Sequence, residues 1–174
     1  MERSEFAAHR VLLLGAKTHG IMLLRSVLGI IGMGRIVHVE HPHRALELLG
    51  MEHFSAVFCS PAENLSGERS FVEAARRSEA MLNPMIPIFL LQEGARRRDV
   101  EKARDMGATD VLTTPMSPKT LSTKLRAATQ TPRPFIIASE FFGPDRRAKL
   151  RPAYYGSERR KRAPKKTKFD FTAV

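Results

Sequence analysis

A chain of 174 residues is long enough for one domain of ordinary size plus an extension, and a hydrophobic fraction of 43% can supply a real core. The net charge of +11 is uneven: residues 129–174 hold 12 Lys and Arg against 4 Asp and Glu, and 7 of the 12 aromatics, so the basic character belongs to the tail and not to the body. That excludes a uniformly basic fold and points the tail at a polyanion or an acidic protein surface. Cys59 is the only cysteine, which excludes an internal disulfide and fits a reducing, cytoplasmic setting. Met1 to Glu5 lacks the apolar core of a signal peptide, and the run from Ile21 to Ile31 is too short to span a bilayer.

Short apolar runs alternate with helix-like runs from residue 10 to residue 128. Val11–Leu14 predicts a buried strand, Gly20–Gly32 a helix and Ile36–Val39 a strand. Pro42 suits the first turn of a helix over His43–Leu49. Ala56–Cys59 predicts a strand that stops at Ser60-Pro61, followed by a helix over Phe71–Met81 and a strand over Pro87–Leu91. Arg96–Met106 predicts a helix ended by Gly107, Val111-Leu112 a short strand, and Ser117 the N-cap of a last helix reaching Ala128. The strand runs are apolar throughout, as expected of parallel strands covered on both faces. The pattern predicts an α/β fold with a doubly wound, five-stranded parallel sheet of flavodoxin-like order, its crevice at the carboxyl ends of the strands.

Composition shifts at Pro132-Arg133-Pro134. The expected division is an N-terminal arm over 1–8, a body over 9–131 that folds without the tail, and a basic, aromatic-rich tail over 132–174. Pro134, Pro144, Pro152 and Pro164 exclude a long tail helix, so 135–174 is expected to be extended or disordered.

The tail repeats itself. Phe141-Phe142-Gly143-Pro144-Asp145-Arg146-Arg147 is echoed 13 residues later by Tyr154-Tyr155-Gly156-Ser157-Glu158-Arg159-Arg160. That step matches neither a helical nor a strand period. The residue types suit a planar, anionic ligand: aromatics stack on bases, Arg forks chelate phosphate or a guanine edge, and an acid accepts base N–H groups. The competing reading is a solvated basic tail with two turn-forming glycines.

Other constellations are weaker. His38, His41 and His43 flank Glu40, but Pro42 stiffens the run and no second ligand pair complements it, so no metal is expected. Arg96-Arg97-Arg98 opens a helix where the dipole disfavours cations, which leaves a solvated end or an anionic contact. No phosphate-binding glycine loop and no nucleophile–base–acid set is present; Ser60 beside a histidine is the nearest approach. No cofactor and no enzymatic activity are expected.

Met22-Leu23-Leu24-Arg25-Ser26-Val27-Leu28, Arg44-Ala45-Leu46-Glu47-Leu48-Leu49, and Gly107-Ala108-Thr109-Asp110 followed by Thr114-Pro115 together resemble, in order, segments of the response-regulator receiver family, the CheY-like proteins. The resemblance covers about residues 9–128. It implies an acidic pair after the first strand that holds Mg²⁺; Gly15 and Ala16 stand there, and no Asp or Glu occurs from Phe6 through Val39. It implies a phospho-accepting Asp where Ser60 stands, a hydroxyl residue at Gln92, and a Lys at Thr114. Acyl-phosphate formation needs a carboxylate nucleophile and a metal. The crevice is therefore expected to be nearly neutral and the chain to be a pseudo-receiver.

The same resemblance implies a protein partner in a signalling or motility pathway, bound through the face of the fourth helix, fifth strand and fifth helix. It also implies cyclic di-GMP as a tail ligand, since some CheY-like motor regulators carry arginine-rich tails that bind it. Arg146, Arg147, Arg159 and Arg160 would pair guanine edges and phosphates, Asp145 and Glu158 would accept guanine N–H groups, and Phe142 and Tyr155 would stack. The alternatives are a nucleic-acid-binding tail, tracking phosphates and stacking on single-stranded bases, and a phosphorelay regulator by family only.

Overall fold

Apolar strands with no polar face must be covered on both sides, which dictates three layers. The computed structural model has this arrangement and describes residues 4–63, 65, 70–94, 96–138, 141–145 and 165–167. Strands β1 (Arg10–Leu14), β2 (Arg35–Val39), β3 (Ala56–Cys59), β4 (Ile88–Glu93) and β5 (Asp110–Thr114) form one parallel sheet in the order β2-β1-β3-β4-β5. Helices α1 (His19–Ile30), α2 (Pro42–Met51), α3 (Phe71–Arg77), α4 (Arg97–Asp105) and α5 (Pro118–Gln130) alternate with the strands. This is the flavodoxin-like order expected from the apolar runs.

Alternating side chains divide the core in two. Leu12, Leu14, Val57, Cys59, Ile88, Leu90 and Val111 meet α2, α3 and α4 through Ala45, Leu48, Phe71, Val72, Ala75 and Ala103. Val11, Leu13, Phe58, Phe89, Leu91 and Leu112 meet α1 and α5 through Ile21, Leu24, Leu28, Leu121 and Leu125. Phe58 and Phe89 stack at 5.0 Å between adjacent strands. Residues 4–8 of the expected arm are tied to the body. Phe6 lies in the α1/α5 core, Ser4 Oγ donates to the Ile31 carbonyl at 2.6 Å, and Glu5 pairs with Arg126.

The caps follow the chain's own signals. Pro42 opens α2, and Ser117 Oγ accepts from the Thr120 N–H at 3.1 Å at the start of α5. Gly107 stops α4 at φ +96°, a left-handed value that favours glycine. At the start of α4, the backbone of Arg96 and the side chain of Arg97 are held by local carboxylates. The Asp99 carboxylate accepts from the Arg96 N–H at 2.9 Å, and Arg97 pairs with Glu101 at 2.9 Å. One helix is shorter than expected: α3 stops at Arg77, not Met81. Ser78 turns extended, at ψ 124°, and its Oγ accepts from the Ala80 N–H at 3.3 Å, a local bond that competes with helix continuation.

The described parts of the tail are extended, as expected, and they are paired. Strands β6 (Phe135–Ile137), β7 (Phe142–Pro144) and β8 (Lys165–Thr167) form a small antiparallel sheet in the order β7-β6-β8, separate from the main one. That sheet is seated on the body. Phe135 is buried, with the Arg76 guanidinium 5.1 Å from its ring. Gly143 lies against Gly107: a Cβ on Gly143 would stand 2.7 Å from the Gly107 Cα. No helix among the described residues is long and apolar enough to cross a membrane.

Candidate functional site

The parallel sheet places the carboxyl ends of β1, β3, β4 and β5 around one crevice, beside the point where the strand order reverses. Gly15 follows β1, Ser60 follows β3, Gln92 is the penultimate residue of β4 and Thr114 ends β5. The sheet thus brings together the positions singled out in the sequence, together with the exposed Ala16. The Thr114–Pro115 peptide bond is cis.

Gly15 is buried at φ +136°, and its N–H donates to the Val39 carbonyl at 3.0 Å. Its carbonyl accepts from His38 Nε2 at 2.8 Å, which fixes one of the clustered histidines as a backbone clamp. Ser60 is half-buried, and its Oγ accepts from the Ala62 N–H at 3.4 Å. The hydroxyl closes a turn, and no base among the described residues is bonded to it. Cys59, one residue earlier, is fully buried, and burial pushes its thiol well above the ordinary value, so it is no nucleophile.

The crevice is not as neutral as expected. The loop after β3 returns Glu63 over the end of β1, where its Oε1 lies 3.0 Å from the place a Gly15 Cβ would take. Burial raises the Glu63 pKa, against an opposing pull from His41. Lys17 and Glu40 pair at 3.2 Å nearby. Glu63 was not singled out in the sequence because its place depends on how a loop folds back. Among the described residues no three His, Cys, Asp or Glu converge to hold a metal ion.

A second residue missed in the sequence is Arg76. It is 1% exposed at the end of α3. Its Nε donates to the Gly107 carbonyl at 3.1 Å, and its Nη1 to the Pro84 and Ile86 carbonyls, each at 2.7 Å. Nη2 is buried without a hydrogen-bond partner among the described residues. Burial lowers its pKa to about 9. The helical spacing held the signal, because Val72 and Arg76, four residues apart, share the buried face of α3.

Of the expected tail ligand set, two members are described. Phe142 is half-buried and meets Phe135 edge-on at 6.1 Å. Asp145 is 4% exposed, and its N–H donates to the Pro134 carbonyl at 2.7 Å. Both are engaged in the small sheet. Arg146, Arg147, Tyr155, Glu158, Arg159 and Arg160 lie outside the described residues.

No protein-family model matches the chain, and no curated protein matches its sequence significantly. Solved structures match its fold. A response regulator from Desulfuromonas acetoxidans superposes with a TM-score of 0.61 at 15% identity, over 71% of this chain and 98% of that one. The receiver domain of a sensor histidine kinase from Pseudomonas aeruginosa, with a magnesium ion coordinated in its active-site cleft, matches with a TM-score of 0.56 at 20% identity, over 68% and 94% of the two chains. The receiver domain of a Saccharomyces cerevisiae response regulator, co-crystallised with its histidine phosphotransfer protein, matches with a TM-score of 0.58 at 17% identity, over 71% and 90%.

Proposed function

We propose that this chain, whose fold is that of a response-regulator receiver domain, is a cytoplasmic, non-enzymatic signalling adaptor that uses the receiver scaffold without its phosphoryl switch. The observation that carries this reading is the residue set around the crevice: Gly15, Ala16, Ser60, Gln92 and Thr114 at the carboxyl ends of the strands. A serine hydroxyl with no base bonded to it does not attack an acyl phosphate at neutral pH, and one loop carboxylate does not replace the acid set that would hold the charge-neutralising metal. Retaining the scaffold without the chemistry points to binding as the function.

The body would bind a protein partner through α4, β5 and α5. Arg96, Arg97, Arg98 and Lys102 are exposed there, which favours an acidic partner surface. The yeast receiver domain above binds a protein, its phosphotransfer partner. The tail would bind an anionic ligand through the arginine pairs of its two repeated units, with cyclic di-GMP the foremost candidate. Because Phe142 and Asp145 are engaged in the small sheet, recognition at the first unit would fall mainly to Arg146 and Arg147. Binding of single-stranded nucleic acid is the alternative, separated by the titration described in the Discussion.

Incubation of the full chain with acetyl phosphate and Mg²⁺, followed by intact-mass measurement, tests the loss of the switch. The expected result is an unchanged mass. A Mg²⁺-dependent phosphoprotein labelled at the end of β3 would overturn the proposal.

A further inference from the structure

An open parallel sheet ends in two edge strands, and each leaves a row of N–H and C=O groups without a partner strand. Here the edges are β2 and β5. The chain treats them differently. On β5, side chains take up the backbone of Val111: Asp110 Oδ1 accepts from its N–H at 2.8 Å, and Lys124 Nζ donates to its carbonyl at 3.0 Å. On β2, the only side-chain hydrogen bond among the described residues runs from His38 to the Gly15 carbonyl, toward β1.

Which groups of β2 are open follows from its ladder. The Arg35 N–H donates to the His9 carbonyl at 3.1 Å, and the Val39 carbonyl accepts from the Gly15 N–H at 3.0 Å. Successive residues of a strand turn their backbone groups to opposite sides. Residues 35, 37 and 39 therefore bond to β1, while the N–H and C=O of Ile36 and His38 point outward. The strand lacks the usual obstructions. Arg35–Val39 holds no proline and no lysine, and its five pairs with β1 run without a bulge. Ile36, Val37, His38 and Val39 are only half-buried, whereas Val11–Leu14 of β1 and the whole of β3 are buried.

Four outward groups on alternate residues suit a second copy of the same strand. Turned antiparallel about Val37, Ile36 of each copy lies opposite His38 of the other, and the two pairs exchange four backbone hydrogen bonds. Val37 meets its own counterpart on the axis, an apolar pair at the closer, non-hydrogen-bonded spacing. The ends match in charge. Arg35 falls opposite Val39 of the second copy and next to its Glu40, and both charged residues are exposed. Arg35 makes no ion pair among the described residues, and Glu40, paired with Lys17 at 3.2 Å, keeps its side chain 47% exposed. We propose that this chain self-associates through β2, as a two-fold symmetric pair whose sheets join across an antiparallel β2–β2 junction. Because β2 and β5 end the sheet on opposite sides, the α4–β5–α5 surface stays free on both copies. The proposal does not rest on what docks there.

Sedimentation equilibrium and amide hydrogen exchange on the full chain, from dilute to concentrated solution, test it. The mass should rise from 19.5 kDa toward twice that value. Over the same range the Ile36 and His38 amides should slow at least about fivefold, while Val37, already bonded to β1, changes much less. Arg35→Glu sets a like charge beside Glu40 of the second copy, and Glu40→Arg sets one beside Arg35. Each acts at both ends of the pair, so each should weaken association about tenfold. The double variant restores opposite charges and should recover most of the loss. A monomer at every concentration would overturn the proposal. So would a dimer whose Ile36 and His38 amides keep their dilute rates, single reversals that leave association unchanged, or a double variant no stronger than the singles.

Discussion

Replacing Arg76 with alanine is expected to destabilise the protein by about 3–5 kcal/mol, chiefly through the hydrogen-bond acceptors it leaves unmet. The reason is the set of carbonyls it leaves behind. Gly107, Pro84 and Ile86 each accept a hydrogen bond from this side chain, and an orphaned buried acceptor costs roughly 1–3 kcal/mol. The loss of the Phe135 contact adds to this. Relief of the buried charge subtracts from it, since Nη2 is unpartnered and burial already lowers the arginine's pKa. The net sits well below the simple sum but remains a large share of the 5–15 kcal/mol by which a domain is ordinarily stable. The chain has no tryptophan, so urea unfolding followed by circular dichroism is the appropriate measurement. A loss below about 1 kcal/mol would mean that water or the neighbouring backbone takes over the three acceptors, and the arginine would not be a keystone.

The second large effect is expected at the tail. Changing Arg146 and Arg147 to alanine should weaken binding of cyclic di-GMP by about 10²-fold or more, since two charge-assisted contacts worth roughly 1.5–3 kcal/mol each are lost. The matching change at Arg159 and Arg160 should do about the same, because the second pair engages at high effective concentration once the first is bound. Replacing Arg162, Lys165 and Lys166 removes more charge but lies outside the repeated units, so it should do much less. Isothermal titration of the three variants with cyclic di-GMP and with single-stranded RNA separates the readings. Losses that scale only with charge removed and vanish at high salt would mean a polycationic tail, and the nucleic-acid or acidic-protein reading would replace the dinucleotide site.

The five-unit fold was legible because its determinants are local. Runs such as Val11–Leu14 and Ala56–Cys59 cannot be half-exposed, and Pro42, Gly107 and Ser117 mark ends by backbone chemistry that does not depend on tertiary context. That a crevice lies at the strand ends was legible for the same reason, whereas its individual positions came from the resemblance to the receiver family. What was missed depends on chain return. Glu63 sits on a loop whose path over Gly15 is set by packing, not by pattern. Arg76 carried a helical-spacing signal, but a charged residue is ordinarily assigned to solvent, and the carbonyls that hold it come from residues 84, 86 and 107. Strands of three residues, such as Phe135–Ile137 and Phe142–Pro144, are too short for alternation to register. Phe142 was assigned to stacking on a ligand and Gly143 to a turn, whereas both belong to the small sheet seated on the body.

The central claim is that the crevice at the strand ends no longer hosts a metal and a phosphoryl group. Amide chemical shifts of the full chain, titrated first with Mg²⁺ and then with beryllium fluoride as a phosphoryl mimic, read that crevice residue by residue. The signals of Gly15, Ser60, Gln92 and Thr114 are expected to stay in place through both additions. Saturable shifts at those four residues, appearing with Mg²⁺ and completed by the fluoride, would contradict it.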